Sequence, residues 1–148
     1  MSYLNEKTLD IVLEEYADFG YQLRFSQVTE ECTPHPVTGD PTNCKEVSSP
    51  LPVNSLSFTG SISDTLGDDR VILEDFTISM ISASGGVIEM ILSKAQVIAL
   101  AGARPISQKA GERQRLIGYY DLICYDPAGD VTTRLMEGKV YVSDGVTT

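Results

Sequence analysis

Apolar residues recur at every second position along most of the chain, the period of a half-buried strand whose side chains point alternately to opposite faces. Leu9, Ile11 and Leu13 alternate in "TLDIVLEE", Tyr21, Leu23 and Phe25 in "GYQLRFSQV", and Leu56, Phe58 and Ile62 fall at even spacing in "SLSFTGSIS". Gly60 in the last of these leaves room for a bulge or a close approach. In "VILEDFTISMIS", Val71 and Leu73 share one parity while Phe76, Ile78 and Met80 share the other, which predicts an irregularity near Glu74 and Asp75. After the Gly85-Gly86 turn, "VIEMIL" continues the strand pattern. The run "SKAQVIALAG" breaks it with good helix formers; Ser93 followed three residues later by Gln96 is a capping box, and Gly102 closes a helix of about two turns.

The chain ends on two strand-like runs, "GYYDLICYD" and "VTTRLMEGKVYVSDGVTT", joined by "PAGD". This reads as a β-hairpin. Strict alternation places Gly118, Tyr120, Leu122 and Cys124 on one face and Ile117, Tyr119, Ile123 and Tyr125 on the other. Both faces are rich in apolar or aromatic groups. One is expected to bury inside the domain; the other, with Tyr119, Ile123 and Tyr125, either offers an interface to a neighbouring subunit, where tyrosine is enriched, or is itself covered within the chain by the other sheet and the long loop. Gly138, in mid-strand, marks a bulge or a close backbone approach. With about seven or eight strands separated by turns and one short helix before the hairpin, the fold class is all-β, an antiparallel sandwich or small barrel.

Residues 29–52, "TEECTPHPVTGDPTNCKEVSSPLP", hold five of the seven prolines and show no regular period. They are expected to form a long Pro-rich loop, either a contact element or a tolerated surface insertion. Cys32 and Cys44 bracket it, and a disulfide between them would remove about 3 kcal/mol of chain entropy from the unfolded state. The N-terminus has no basic start followed by an apolar stretch, so no secretory signal is expected, and a cytosolic protein keeps its thiols reduced. A protein assembled in a cell and exposed outside it afterwards escapes that objection. Cys124, within "LICYD", reads as a buried small hydrophobe.

Length and composition narrow the function. A chain of 148 residues fits one domain, 1–148, able to bury roughly two thirds of its unfolded surface. Eleven basic against twenty-one acidic residues give a net charge of −10, which repels phosphate backbones, so nucleic acid is not an expected partner. No apolar run approaches the roughly 20 residues of a membrane helix. His35, the sole histidine, with Cys32, Cys44, Glu30 and Glu31 nearby, does not supply the ligand spacing of a zinc site. Asp64, Asp68 and Asp69 do not match a helix-flanked calcium loop and read as a solvated turn. "ASGGV" lacks the ending of a phosphate loop, and no nucleophile elbow accompanies the single histidine. No catalytic residue, cofactor or metal is expected.

The terminal hairpin carries one resemblance. Tyr120, Asp121 and Leu122, a Gly-containing turn, then Arg134, Leu135, Gly138, Val140, Val142, Val146 and Thr147 resemble the closing segment of small Ig-like β-sandwich proteins encoded by tailed bacteriophages. The likeness covers the last 30 or so residues, extends loosely back through "LSKAQVIALAG", and does not include the segment between Cys32 and Cys44. It implies an antiparallel Ig-like β-sandwich and a non-enzymatic structural or adaptor role in the virion, in the tail, neck or fibre-attachment region. It further implies multiple copies among other virion proteins after assembly in the host cytoplasm. A capsid decoration protein and a carbohydrate-binding β-sandwich, the latter using the Cys-bracketed segment and exposed tyrosines, are the alternatives.

Overall fold

The computed structural model describes residues 7–103 and 114–143, and among them the chain forms eleven strands and one helix. In chain order these are β1 (Lys7–Thr8), β2 (Ile11–Glu14), β3 (Phe19–Arg24), β4 (Ser26–Pro34), β5 (Pro41–Pro50), β6 (Ser57–Ser63), β7 (Ile72–Asp75), β8 (Thr77–Ser82), β9 (Val87–Leu92), α1 (Lys94–Ala103), β10 (Gln114–Asp126) and β11 (Val131–Ser143). A six-stranded sheet runs β1-β11-β10-β6-β7, with β2 also on β11; a three-stranded sheet runs β3-β9-β8; β4 and β5 pair only with each other.

The two larger sheets feed one core. From the first come Ile62, Tyr120, Leu122, Cys124, Val140 and Val142, from the second Ile88, Met90 and Leu92, and from the helix Val97 and Leu100, all in one buried cluster. Phe76 links the sheets: its ring lies 6.3 Å from Phe19 of β3 and 6.1 Å, edge-on, from Tyr120 of β10. The break in parity expected near Glu74 and Asp75 is the point where the chain leaves one sheet for the other. There β7 ends at Asp75, β8 begins at Thr77, and Phe76 N donates to Gly60 O at 2.9 Å.

Helix α1 starts as its sequence requires. Gln96 N donates to Ser93 Oγ at 3.2 Å and Ser93 N to Gln96 Oε1 at 2.8 Å, the reciprocal pair that satisfies two otherwise orphaned donors. The Gln96 amide also donates to Glu74 Oε1 at 2.9 Å, tying the cap to β7.

The hairpin β10–β11 pairs antiparallel from Gln114↔Ser143 to Asp126↔Val131, with irregularities at Leu116/Gly118 and Leu122/Ile123. The first shifts the alternation, so Ile117, expected on the outer face, is fully buried in the core. The Leu9–Leu13 segment, expected as one alternating strand, is interrupted: Leu9 and Asp10 separate the short strands β1 and β2, both parallel to β11. Between them Asp10 turns to accept Lys139 N at 2.9 Å, and Leu9 N donates to Glu137 O.

Residues 29–52, expected as a long loop, are mostly a β-ribbon: β4 and β5 pair from Ser26↔Pro50 to Pro34↔Pro41, leaving 35–40 as the turn. Its period was hidden because both faces stand largely in water, so no apolar alternation is required. Pro34, Pro41 and Pro50 sit at the ladder's ends, where a missing N–H costs little, and Pro36 and Pro52 lie outside the strands. No helix among the described residues is long and apolar enough to cross a membrane.

Candidate functional site

The ribbon leaves the core at a well-made root. Phe25 N donates to Gly86 O at 2.7 Å, Leu51 N donates to Phe25 O at 3.1 Å, and the Phe25 ring stacks on Phe58 of β6 at 5.6 Å. Gly86 has φ +69, and a Cβ there would run into the carbonyls of Leu51 and Phe25, so the root requires a glycine. Beside it lies a shallow cleft of about 180 Å³ lined by Arg24, Phe25, Ser26, Ser48, Ser49 and Pro50.

Beyond the root, residues of β4 and β5 that pair across the ladder share a face. One face carries Val28 with Ser48, Glu30 opposite Glu46, and then Cys32 with Cys44; the other carries Gln27 with Ser49, Thr29 with Val47, and Glu31 opposite Lys45. Cys32 and Cys44 are joined by a disulfide, their Cα atoms 4.1 Å apart. The ladder is irregular at this point, where Asn43 and Cys44 together face Cys32; Asn43 takes up the extra residue at φ 52, a conformation asparagine tolerates. The Glu30 carboxylate lies within 4.8 Å of both sulfurs, the nearest approach to a metal-ligand set among the described residues, but the S–S bond leaves neither sulfur as a thiolate. His35 lies in the turn instead, where Nδ1 accepts Val37 N at 3.1 Å and Thr38 N at 3.2 Å.

The second surface is the outer face of β10. Tyr119, Ile123 and Tyr125 share it, the first two half-buried and Tyr125 exposed. Tyr125 OH donates to Asp130 Oδ1 at 2.9 Å, and this bond is the first cause holding its pKa above the usual tyrosine value. Asp121, between Tyr119 and Ile123 on the same face, is the residue that periodicity did not single out. It is 7 % exposed, and its Oδ2 accepts from Arg70 Nη1 at 2.9 Å and lies 3.9 Å from Arg134 Nε. Arg134 also pairs with Glu137 at 3.3 Å. A buried carboxylate is tolerable only when paired in this way. These groups line a cleft of about 270 Å³ with Ser63, Leu66, Gly67 and Tyr120. On β6, Ser57, Thr59, Ser61 and Ser63 oppose Tyr125, Ile123, Asp121 and Tyr119, so the face is a polar field with aromatic and aliphatic points rather than a flat apolar patch.

The remaining candidates have structural places. Asp64 accepts Val71 N at 2.8 Å and closes the 64–71 turn. Cys124 is buried in the core, and that burial, with Asp126 a lesser cause, pushes its thiol pKa upward, away from a reactive thiolate. Arg115, in β10, donates to Ala101 O at 3.1 Å, against the end of α1, while the basic residues Lys109 and Arg113 lie outside the described residues. Comparison of the sequence with protein-family models and with curated proteins finds no match in either.

Proposed function

We propose that the chain is a non-enzymatic structural or adaptor protein of a tailed bacteriophage particle, in the tail, neck or fibre-attachment region, and that it acts through protein–protein contacts. One observation carries the reading: the β4–β5 ribbon. A two-stranded ribbon is marginal by itself in water. This one extends over residues 26–50, pairs with no other strand among those described, and is held by a disulfide and a glycine-dependent root. Such stiffening of a segment that adds little to the core suits an arm made to reach a neighbour.

An Ig-like sandwich is the architecture we infer for the body. The strand order supports it: β3-β9-β8 corresponds to the B-E-D order, and β11-β10-β6-β7 to G-F-C-C′, with the ribbon lying between the B and C equivalents. The antibody-type hallmarks are not used, because the chain has no tryptophan and Cys124, on the F-equivalent strand, is a free thiol. Sugar binding gains less support. It wants an open aromatic face at the floor of a cleft, whereas of the two aromatic residues at the clefts Phe25 is stacked on Phe58 and Tyr120 is almost wholly buried against the core.

Mass spectrometry and electron microscopy of purified particles made with the chain test the reading. The expected result is a fixed number of copies at the tail, neck or fibre base, with the ribbon against a neighbouring protein; a position on the capsid faces would make it a decoration protein. Absence from particles, or full incorporation of a chain lacking residues 27–49, would overturn the proposal.

A further inference from the structure

The ribbon ends in a fixed turn. His35 N donates to Asp40 O at 2.8 Å and Gly39 N to His35 O at 2.9 Å. Val37 N and Thr38 N both donate to His35 Nδ1, and Asp40 N donates to Thr38 Oγ1 at 3.3 Å. Gly39 supplies the positive φ, +75, that closes the turn. Just behind it, Thr42 Oγ1 donates to Thr33 O at 2.7 Å, and the Cys32–Cys44 bond crosses the ladder. The side chain held outward by this framework is Val37, 86 % exposed, the highest value among the large apolar side chains described.

A single apolar residue on a protein surface needs no explanation. Val37 differs in its setting. A histidine side chain, a disulfide and a glycine fix the backbone around it although none of them serves the core. A segment ordered before its partner arrives forfeits less conformational freedom on binding, which is where preorganised contacts gain affinity.

We propose that the tip is a docking knob: Val37 enters an apolar socket on a partner protein, and that socket is rimmed by lysine and arginine. The socket follows from the side chain, which offers no polar group. The rim follows from the ribbon's charge. Residues 26–50 hold Glu30, Glu31, Asp40 and Glu46 against Lys45, so 1 − 4 = −3, on a chain of −10. On the Cys32–Cys44 face, Glu30 stands directly opposite Glu46, an arrangement unfavourable in isolation and relieved by an incoming cation. The same charge argues against a second copy of this chain, or a nucleic acid, as the occupant. This inference rests on the ribbon being a contact arm and names what the arm grips.

The test places a photo-crosslinking amino acid at position 37 of the full chain, in the cells where it is made, and maps the adduct by mass spectrometry. The expected adduct is at one site on one partner protein, among apolar residues flanked by Lys or Arg. With that partner purified, Val37→Asp should weaken binding at least about thirtyfold, the loss typical of a central anchor, while Val37→Ile retains it. Raising salt from about 0.1 to about 1 M, which shortens the screening length from roughly 10 to roughly 3 Å, should weaken it several-fold. His35→Ala should weaken it and His35→Asn should not, because the Asn carbonyl can accept the same turn N–H groups. Unchanged amide exchange in β10 and β11 controls for folding. Adducts to a second copy or to nucleic acid, adducts scattered over many proteins, no adduct at all, or unaltered affinity of Val37→Asp would each overturn the proposal. An adduct of the expected kind in a chain absent from particles would sink the virion reading and leave the knob standing. Normal particle incorporation of Val37→Asp would do the reverse.

Discussion

Replacing Gly138 by alanine should destabilise the protein by about 2–4 kcal/mol, far beyond what one methyl group suggests. Gly138 pairs with Tyr120 across the terminal hairpin, and the space its missing side chain leaves is filled by the carbonyl of Leu9. A Cβ at 138 would collide with that carbonyl, lie 2.7 Å from the Leu9 carbonyl carbon, and approach Tyr120 Cε1 to 3.1 Å. The Leu9 carbonyl accepts the hydroxyl of Tyr120, which is 2 % exposed, while Leu9 N donates to Glu137 O at 2.9 Å. Moving Leu9 aside therefore strands a buried hydroxyl, at about 1–3 kcal/mol, and breaks a backbone bond worth about 0.5–1.5 kcal/mol. Against a total stability of about 5–15 kcal/mol, urea denaturation should show a clear fall in midpoint at unchanged slope. The melting temperature should drop by about 5–15 °C for a chain of this size. Two comparisons sharpen the test. Gly102→Ala, with nothing within 4 Å of its Cβ and a helical position, should be neutral or stabilising by up to about 1 kcal/mol. Tyr120→Phe should cost less in the Gly138→Ala background than alone, because the bond it removes is already gone. A Gly138→Ala variant within about 0.5 kcal/mol of the parent, or full additivity with Tyr120→Phe, would refute the mechanism.

Three further outcomes follow from other parts of the structure. Reducing the Cys32–Cys44 bond, which closes a separation of 12 residues, should speed amide exchange in β4 and β5, by up to the roughly 3 kcal/mol such a loop is worth. Amides of β10 and β11 should keep their protection, and an equal loss in both would show that the ribbon unfolds only with the core. Ser93→Ala should cost about 1 kcal/mol through the lost cap and Gln96→Ala more, since Gln96 also binds Glu74; equal or negligible losses would contradict that ranking. Burial first, then the charges of Tyr21 and Asp10, raise the Tyr120 pKa well above the unfolded value of about 10. The folded chain then holds a proton that the unfolded chain releases, so this contribution is intact below about pH 10 and is lost as pH rises further. Urea midpoints measured from neutral to alkaline pH should fall less steeply for Tyr120→Phe, and identical slopes would exclude Tyr120 as a cause.

Wherever burial imposes a pattern, the sequence is informative about this fold. The reciprocal cap of Ser93 and Gln96 is local, needs no tertiary knowledge, and stands as expected at the head of α1. The parity switch near Asp75 is equally legible, because a strand that changes sheets must exchange its inner and outer faces. Legibility fails where geometry overrides alternation. An irregularity in the ladder at Leu116/Gly118 turns Ile117 inward, and nothing in "RLIGYY" marks it except a glycine that sequence alone could assign to several causes. The burial of Asp121 was hidden for another reason. Arg70 lies far away along the chain and Arg134 on the other strand of the hairpin, and a carboxylate in a strand gives no sign that two guanidinium groups will converge on it.

The ribbon defeats sequence reading in the most instructive way, since hydrophobic alternation reports burial rather than strand conformation. A strand in water on both faces can carry "SQVTEECTP" and "PTNCKEVSSP" with no repeat of two, and of the prolines that argued for a loop Pro34, Pro41 and Pro50 occupy the ladder's ends while Pro36 and Pro52 lie outside the strands. What did mark the segment was the pair of cysteines. Across an antiparallel ribbon, facing Cα atoms lie about 4.5–5.5 Å apart, so a disulfide can span the two strands, as it does from Cys32 to Cys44 at the irregularity where Asn43 and Cys44 together face Cys32. Two cysteines flanking a short turn-rich segment are therefore better evidence for a paired ribbon than for a loop. The reason is that an irregular loop has no geometry that keeps two such positions opposed. By that argument Cys32→Ser/Cys44→Ser should retain the β4–β5 register at low temperature, and loss of the cross-strand nuclear Overhauser contacts between Thr29 and Val47 would show that the staple creates the ribbon instead of reinforcing it.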